Sequence, residues 1–332
     1  MALFSLGWKL GGATTAFLMA VILSTGLSFW YFKRHFNAFF KEPVAQVYER
    51  KKFFAFCWPL FFADLFIVTE AWISLFILGF FLSSEDVGIF SAAYKTTLLI
   101  QGILMSFNIM FSPIISGLHR SQEFEKIRTL FQIISRWVFS LSIPPILILI
   151  IFSKEILQLF GQSFVLGSST LIILSLAQLL NSATGPLGGM IDMSGRTRIT
   201  LLNALLNLLV HSVLCFFLIP RYGVLGAALA RLISVFLLRT ARLIQVYIIW
   251  KMYPFRSDFF KPLMAGAVSG LCLMFMKNAL EDIFPSLLVL LSGILLFAGI
   301  YTAAVLVMGI PQEDKKVWEM VKKKLKGMND IR

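Results

Sequence analysis

Residues 53–82 have the sequence FFAFCWPLFFADLFIVTEAWISLFILGFFL, in which the only charged side chains are Asp64 and Glu70. An α-helix of about 20 apolar residues crosses the roughly 30 Å of hydrocarbon in a bilayer. In hydrocarbon the backbone N–H and C=O groups need partners within the protein, so only helices and closed barrels span a membrane. The stretch lacks the alternation of polar and apolar residues that is typical of barrel strands. It therefore predicts a transmembrane helix.

The rest of the chain repeats this pattern. Hydrophobic residues make up 58% of the sequence and charged residues 14%, with a mean hydropathy of +0.84, which excludes an ordinary soluble domain. We therefore predict an all-α polytopic membrane helix bundle with about nine transmembrane helices. The eight further apolar runs are 12–30, 87–116, 130–152, 166–191, 199–219, 224–250, 263–280 and 287–308.

Most basic residues fall on one side of the predicted bundle. If successive spans alternate in direction, that side holds 24 of the 30 Lys and Arg residues, among them Arg239, Arg242 and those of the lysine-rich C-terminus. The positive-inside rule makes that side cytoplasmic and puts the N-terminus outside. The protein is then a multi-pass protein of the cytoplasmic membrane. The net charge of +13 follows this topology, so we expect no nucleic-acid partner.

The termini of the predicted bundle carry further signals. The first apolar run is followed by two charges, Lys33 and Arg34, and preceded by one, Lys9, whereas a secretory signal peptide carries its charges before the apolar stretch. Residues 33–52 mix aromatic and charged side chains and predict an amphipathic linker on the cytoplasmic leaflet. Residues 311–332 predict a basic cytoplasmic tail attracted to anionic lipid. The three cysteines all lie in apolar runs, which favours a packing role.

Ionisable side chains at membrane depth are the first candidates for function, because each costs about 3 kcal/mol to insert. Glu70 and Lys95 lie at similar depth on either side of a short turn, so they could neutralise each other as an ion pair. The alternative is that Lys95 and Arg231 face a water-filled cavity and bind an anionic head group. Asp64 and Glu70 are candidates for a coupling-ion or proton site.

Amide and imidazole side chains form a second candidate group. Asn203, Asn207 and His211 recur every four residues, so they share one face of a helix. Such a face either joins helices by hydrogen bonds or lines a polar path. Gln101 adds polar material at a similar height and is a further substrate-binding candidate. Glycines 185, 188 and 189 with Pro186 predict a weakened, hinged helix.

Catalytic signals are missing from the sequence. The three histidines have no metal-ligand spacing, and no nucleophile elbow or phosphate-binding glycine loop occurs. We therefore expect neither an enzyme nor a bound cofactor or metal.

Four segments support a family resemblance. Residues 78–95, LGFFLSSEDVGIFSAAYK, and 218–230, LIPRYGVLGAALA, are similar to segments of polysaccharide exporters, the O-antigen type of lipid-linked oligosaccharide flippase. Residues 110–115, in which Pro113 would close a span, and 194–196 fit the same family in order and spacing. Its superfamily also holds multidrug and toxin extrusion (MATE) transporters and the peptidoglycan lipid flippase. The family often has an Asp before the first motif, where this chain has Ser74, with Glu70 one turn earlier.

The resemblance implies a fold of two six-helix lobes and two extra helices, between which a substrate path runs. This chain would then supply the last helix of an otherwise missing N-terminal lobe (1–32), the linker (33–52), the C-terminal lobe (53–250), the two extra helices (260–310) and the tail (311–332). The implied activity is translocation of polyprenyl-diphosphate-linked oligosaccharide for polysaccharide biosynthesis. Implied partners are that substrate, membrane lipids, and polysaccharide polymerases or glycosyltransferases.

The sequence is also compatible with two other functions. One is a cation-coupled antiporter of small molecules, such as a multidrug exporter, which would use Asp64 or Glu70. The other is a non-transporting partial homologue, since a single lobe should not transport by itself.

Overall fold

The computed structural model describes residues 9–35, 49–280, 286–307 and 309, and these are almost entirely helical. The chain forms two compact units, residues 1–53 and 54–332. The helices are α1 (Lys9–His35), α2 (Arg50–Phe81), α3 (Ser84–Arg120), α4 (Phe124–Ile151), α5 (Ser153–Gln158), α6 (Ser168–Ala183), α7 (Leu187–Met193), α8 (Thr197–Tyr222), α9 (Val224–Trp250), α10 (Phe260–Leu280) and α11 (Ser286–Val307), with 3₁₀ turns at Gln162–Gly167 and Ser257–Phe259.

The prediction of an all-α membrane bundle is confirmed. Within the described ranges, nine helices are long and apolar enough to cross a membrane, and no strand occurs. The turn after 53–82 is short because Ser83 caps α3: its hydroxyl accepts from the Asp86 N–H at 3.3 Å, and its own N–H donates to the Asp86 carboxylate at 3.2 Å. This reciprocal pair satisfies free N–H groups at the helix start.

The expectation about Pro113 was wrong. Pro113 does not close a span, since α3 continues to Arg120. Helix α8 likewise extends past the end of the apolar run at residue 219, through Pro220 to Tyr222. Proline is tolerated inside long apolar helices because neighbouring helices and side chains satisfy the freed backbone groups. The reversal after α8 falls instead at Gly223, with a positive φ of 58°.

The predicted run 166–191 is broken into two helices. Helix α6 ends at Ala183 and α7 begins at Leu187, with Gly185 between them at a φ of 65°. A Cβ on Gly185 would also lie 2.2 Å from the Ser135 hydroxyl of α4. Glycine is thus required for both backbone conformation and close packing, and the predicted weak point is a complete break.

Helix α6 lies at the centre of the second unit and contacts α3, α4 and α9. Helices α8 and α9 form a tight hairpin, in which a Cβ on Gly226 would lie 2.2 Å from the Leu218 carbonyl oxygen. The α10–α11 pair packs on α4. An ion pair of 2.6 Å between Lys277 and Glu155 also joins α10 to α5.

Some predictions lie outside the described residues. These are most of the amphipathic linker, at 36–48, and the basic tail, at 311–332. The division into a partial lobe, a full lobe and two extra helices stays a prediction.

Candidate functional site

A cavity of about 510 Å³ opens within the second unit. Six helices contribute to its wall: α2, α3, α6, α7, α8 and α9. The lining residues are Asp64, Ile67, Glu70, Tyr94, Thr97, Gln101, Leu104, Met105, Asn108, Ile109, Ser112, Leu174, Ala177, Gln178, Asn181, Asp192, Asn207, Arg231, Val235, Leu238, Arg239 and Arg242. Charged and amide side chains thus meet between helices whose other faces are apolar.

Helix α9 brings three arginines to this cavity. Arg231, Arg239 and Arg242 are separated by eight and three residues, which puts them on one face of an α-helix. Val235 and Leu238 complete the same face. At about 1.5 Å per residue the arginines extend over about 17 Å along the wall. The cavity is therefore cationic along one side.

Arg231 is neutralised by a carboxylate from α2. Its guanidinium donates a hydrogen bond to Glu70, which is buried, and lies 5.9 Å from the centre of the Tyr94 ring. The Asn207 side chain also hydrogen-bonds to Glu70. An ion pair with additional hydrogen bonds is the arrangement in which burial of two charges is tolerated.

His211 supports this ion pair from behind. Its Nδ1 lies 3.9 Å from Glu70 and 3.2 Å from the Ser234 hydroxyl, and its Nε2 lies 2.8 Å from the Ser74 hydroxyl. The histidine is fully buried. Ser74, which stands where the family resemblance leads one to expect an Asp, thus contacts the imidazole that packs behind Glu70.

Arg239 lies opposite the break between α6 and α7. Its guanidinium donates to the Gly185 carbonyl in this break at 3.4 Å, and the same carbonyl accepts from the Leu187 N–H at 3.0 Å. Its charged neighbours are Arg231 and Arg242. In the part of the chain that the structure describes, no carboxylate pairs with Arg239. This side chain is an uncompensated cation beside the cavity.

Arg242 lies close to the carboxylate of Asp192 in α7. Burial raises the pKa of Asp192, and the charge of Asp64 raises it further, whereas a hydrogen bond from Thr200 and the charge of Arg242 lower it. A Cβ on Gly188 would lie 3.1 Å from the Arg242 guanidinium. The glycines of α7 thus make room for side chains at this end of the cavity.

Three buried polar atoms at the cavity have no hydrogen-bond partner among the described residues. They are the Oδ1 atoms of Asn108 and Asn207 and the Nε of Arg242. Buried polar groups are nearly always satisfied. All three belong to residues that line the cavity.

The predicted site residues separate into two groups. Arg231, Asn207, Gln101, Asp64 and Glu70 line the cavity together.

The other three have different surroundings. Asn203 and Gln245 exchange two amide hydrogen bonds of 2.7 and 2.8 Å, which join α8 to α9. His211 is packed behind Glu70. Lys95 is exposed and is not part of the cavity wall. The considered ion pair between Lys95 and Glu70 is replaced by the pair of Glu70 with Arg231, because α9 packs closer to Glu70 than the exposed face of α3 does.

Arg239 and Arg242 line the cavity but were not predicted as site residues from the sequence. The basic-residue count assigned both to a cytoplasmic connection, whereas both lie within α9. The signal that would have found them is their helical spacing from Arg231.

The comparisons with known proteins agree with this architecture. A family model described as MatE matches residues 59–217. The probable low-salt glycan biosynthesis flippase Agl15 of Haloferax volcanii is 26% identical over 169 residues, which are 49% of this chain and 35% of the relative. The probable flippase AglR of the same organism is 28% identical over 174 residues, 50% of this chain and 36% of the relative.

A bacterial relative matches more of the chain. The capsular polysaccharide biosynthesis protein CapF of Staphylococcus aureus is 29% identical over 248 residues, which are 70% of this chain and 59% of that protein. The resemblance to glycan flippases is confirmed. The chain spans between about a third and three fifths of the length of these three relatives.

A solved structure shares the fold of this chain. The lipid II flippase MurJ in an inward closed conformation matches with a TM-score of 0.62 at 17% identity, over 80% of this chain and 56% of that one. At this identity the match concerns the fold alone.

Proposed function

We propose that this chain takes part in moving a polyprenyl-diphosphate-linked oligosaccharide across the cytoplasmic membrane, with the cavity binding the diphosphate and the first sugars. The observation that carries the proposal is Arg239, a cation at the cavity wall without a carboxylate partner. Guanidinium groups bind phosphate oxygens through paired, charge-assisted hydrogen bonds. An anionic ligand would supply the charge that the protein leaves uncompensated.

The remaining wall suits a sugar. Gln101, Asn108, Gln178, Asn181 and Asn207 present amide groups to the same space. Amides both donate and accept hydrogen bonds, which matches the hydroxyl groups of an oligosaccharide. The names of the matched relatives, which refer to glycan biosynthesis and flippases, support the same substrate class.

Binding and transport are tested separately, because the relatives are longer than this chain. Binding is measured with the chain in nanodiscs and a radiolabelled polyprenyl-diphosphate-linked oligosaccharide. Arg239→Gln should weaken binding about 10- to 100-fold, the equivalent of one charge-assisted hydrogen-bond pair. The matched control is Arg221→Gln, which removes an exposed arginine at the end of α8 and should leave binding unchanged.

Transport is measured in vesicles with a fluorescent analogue of the same lipid. We expect loss of flipping in Arg239→Gln at equal protein incorporation. Unchanged binding in Arg239→Gln would contradict the assignment of the diphosphate to this cavity. Binding without flipping by the unaltered chain would show that this chain contains the ligand site but does not transport the lipid by itself.

A second candidate function is cation-coupled antiport, favoured by the two carboxylates Asp64 and Asp192 at the same cavity. Asp64→Asn would then abolish the dependence of transport on a sodium or proton gradient. Transport that keeps its gradient dependence in Asp64→Asn would exclude this role.

A further inference from the structure

A second cleft lies away from the cavity, at the end of the bundle where α4 begins. It measures about 540 Å³ and lies between the first turns of α4 and the connection from α9 to α10. Helix α4 contributes Glu125, Arg128 and Gln132, which share one helix face. The connection contributes two aromatic side chains and Arg256.

The cleft has a defined geometry. The Gln132 amide donates to the Tyr253 carbonyl at 3.4 Å, and the Arg128 guanidinium lies 5.7 Å from the centre of the Tyr253 ring. These contacts join the two walls. Both arginines still reach solvent, with 38% of the Arg128 side chain and 48% of the Arg256 side chain exposed.

The charged side chains that line the cleft, among the residues that the structure describes, are two arginines and one glutamate. They are Arg128, Arg256 and Glu125, and Glu125 lies 3.9 Å from Arg128. Guanidinium groups bind phosphate oxygens through paired, charge-assisted hydrogen bonds. The two arginines therefore suit a phosphate head group.

An apolar stripe leads from the cleft along α10. Phe260 lines the cleft and begins a row of exposed apolar side chains that recurs at helical spacing. The row continues with Met264, Val268, Leu271 and Phe275, and extends for about 22 Å. A soluble anion would contact only the arginines, and bulk lipid would then cover the apolar stripe. A phospholipid would use both, with its phosphate at the arginines and its acyl chains along α10.

We propose that this cleft binds the head group of an anionic phospholipid. The positive-inside count assigns this end of α4 and the α9–α10 connection to the cytoplasmic side, where anionic lipids attract basic residues. The exposed aromatic side chains of Tyr253, Phe255 and Phe260 are typical of the membrane–water interface. The lipid would join the α10–α11 pair to α4 at this level.

The test is native mass spectrometry of the full chain, titrated with phosphatidylglycerol or phosphatidylcholine. Phosphatidylglycerol should bind at least tenfold more tightly. The variant Arg128→Gln/Arg256→Gln should lose about 30-fold in affinity for phosphatidylglycerol. The control variant Arg120→Gln/Arg198→Gln removes two exposed arginines outside the cleft and should bind as the unaltered chain does.

A third variant tests the site in the opposite direction. Glu125 is 88% exposed, so Glu125→Gln should leave the fold unchanged and tighten phosphatidylglycerol binding about fivefold. If the Arg128→Gln/Arg256→Gln variant fails to fold, Glu125→Gln still tests whether the cleft binds the anionic head group.

Three results would overturn the proposal. The first is an equal loss of affinity in the two double variants, which would indicate diffuse surface charge. The second is unchanged affinity in Glu125→Gln. The third is glycerol 3-phosphate binding as tightly as phosphatidylglycerol, which would indicate a site for a soluble phosphate.

Discussion

Helices α8 and α9 form one hairpin, and each carries a row of polar side chains, but the two rows have different surroundings. On α8, Asn203 pairs with Gln245 and His211 packs behind an ion pair, so most of the row joins helices. On α9, the arginines 231, 239 and 242 line a cavity. Helical spacing that places polar side chains on one face therefore does not distinguish helix joining from the lining of a cavity. The neighbouring helices decide which of the two occurs.

The largest expected effect concerns Glu70, the carboxylate that pairs with Arg231 at one end of the row of arginines on α9. Glu70→Gln leaves the Arg231 charge without its buried partner and should lower the free energy of unfolding by about 3–5 kcal/mol. Denaturant unfolding in detergent micelles measures this change. Asp64→Asn, on the same helix but exposed, should stay within about 0.5 kcal/mol.

The double variant Glu70→Gln/Arg231→Gln should recover most of that loss, because no uncompensated charge remains. If it is as unstable as Glu70→Gln alone, the ion pair is not what stabilises the contact between α2 and α9.

The next effect concerns how closely the two helices approach. Gly226→Ala would place a Cβ against the Leu218 carbonyl and should cost about 1–3 kcal/mol by forcing the hairpin apart. Thermal unfolding in micelles measures the loss. Gly102→Ala in α3, where a Cβ has open space, is the control and should be neutral or slightly stabilising. Equal behaviour of the two variants would mean that the hairpin tolerates separation.

A smaller effect tests the α8 row directly. Asn203→Leu leaves the Gln245 amide without its partner, and hydrogen bonds between membrane helices contribute about 0.6 kcal/mol on average. We expect a loss of that size, with recovery in Asn203→Leu/Gln245→Leu, measured by the same unfolding assay. Oligosaccharide-lipid binding should not change in either variant. Weaker binding in Asn203→Leu at unchanged stability would show that Asn203 contributes to ligand binding in the cavity and not only to the contact between α8 and α9.

The smallest effect concerns a cation outside both rows. Lys95 is exposed on α3, so Lys95→Gln should change the free energy of unfolding by less than about 0.5 kcal/mol and leave ligand binding in nanodiscs unchanged. A loss of binding like that in Arg239→Gln would instead support Lys95 as a substrate-binding residue, as the sequence predicted.

The sequence by itself determined the helical membrane fold. Apolar runs such as 53–82 leave no other structure in which the backbone polar groups are satisfied, so the nine spans follow from composition and length. Local chemistry also determined the Ser83 cap and the weak point at Gly185 and Pro186. The flippase resemblance, too, was visible in motifs of this chain.

Only the tertiary structure decided which polar side chains share a cavity. Whether Glu70 pairs with Lys95 or with Arg231 depends on the helix that packs nearest, and this is a long-range property that periodicity does not encode. The same holds for Asn203, which faces Gln245 on α9 rather than the cavity. Arg239 and Arg242 were assigned to a cytoplasmic connection because a count of charges along the chain carries no information on which face of a helix they occupy. Packing supplies that information, since it fixes the rotation of each helix against its neighbours.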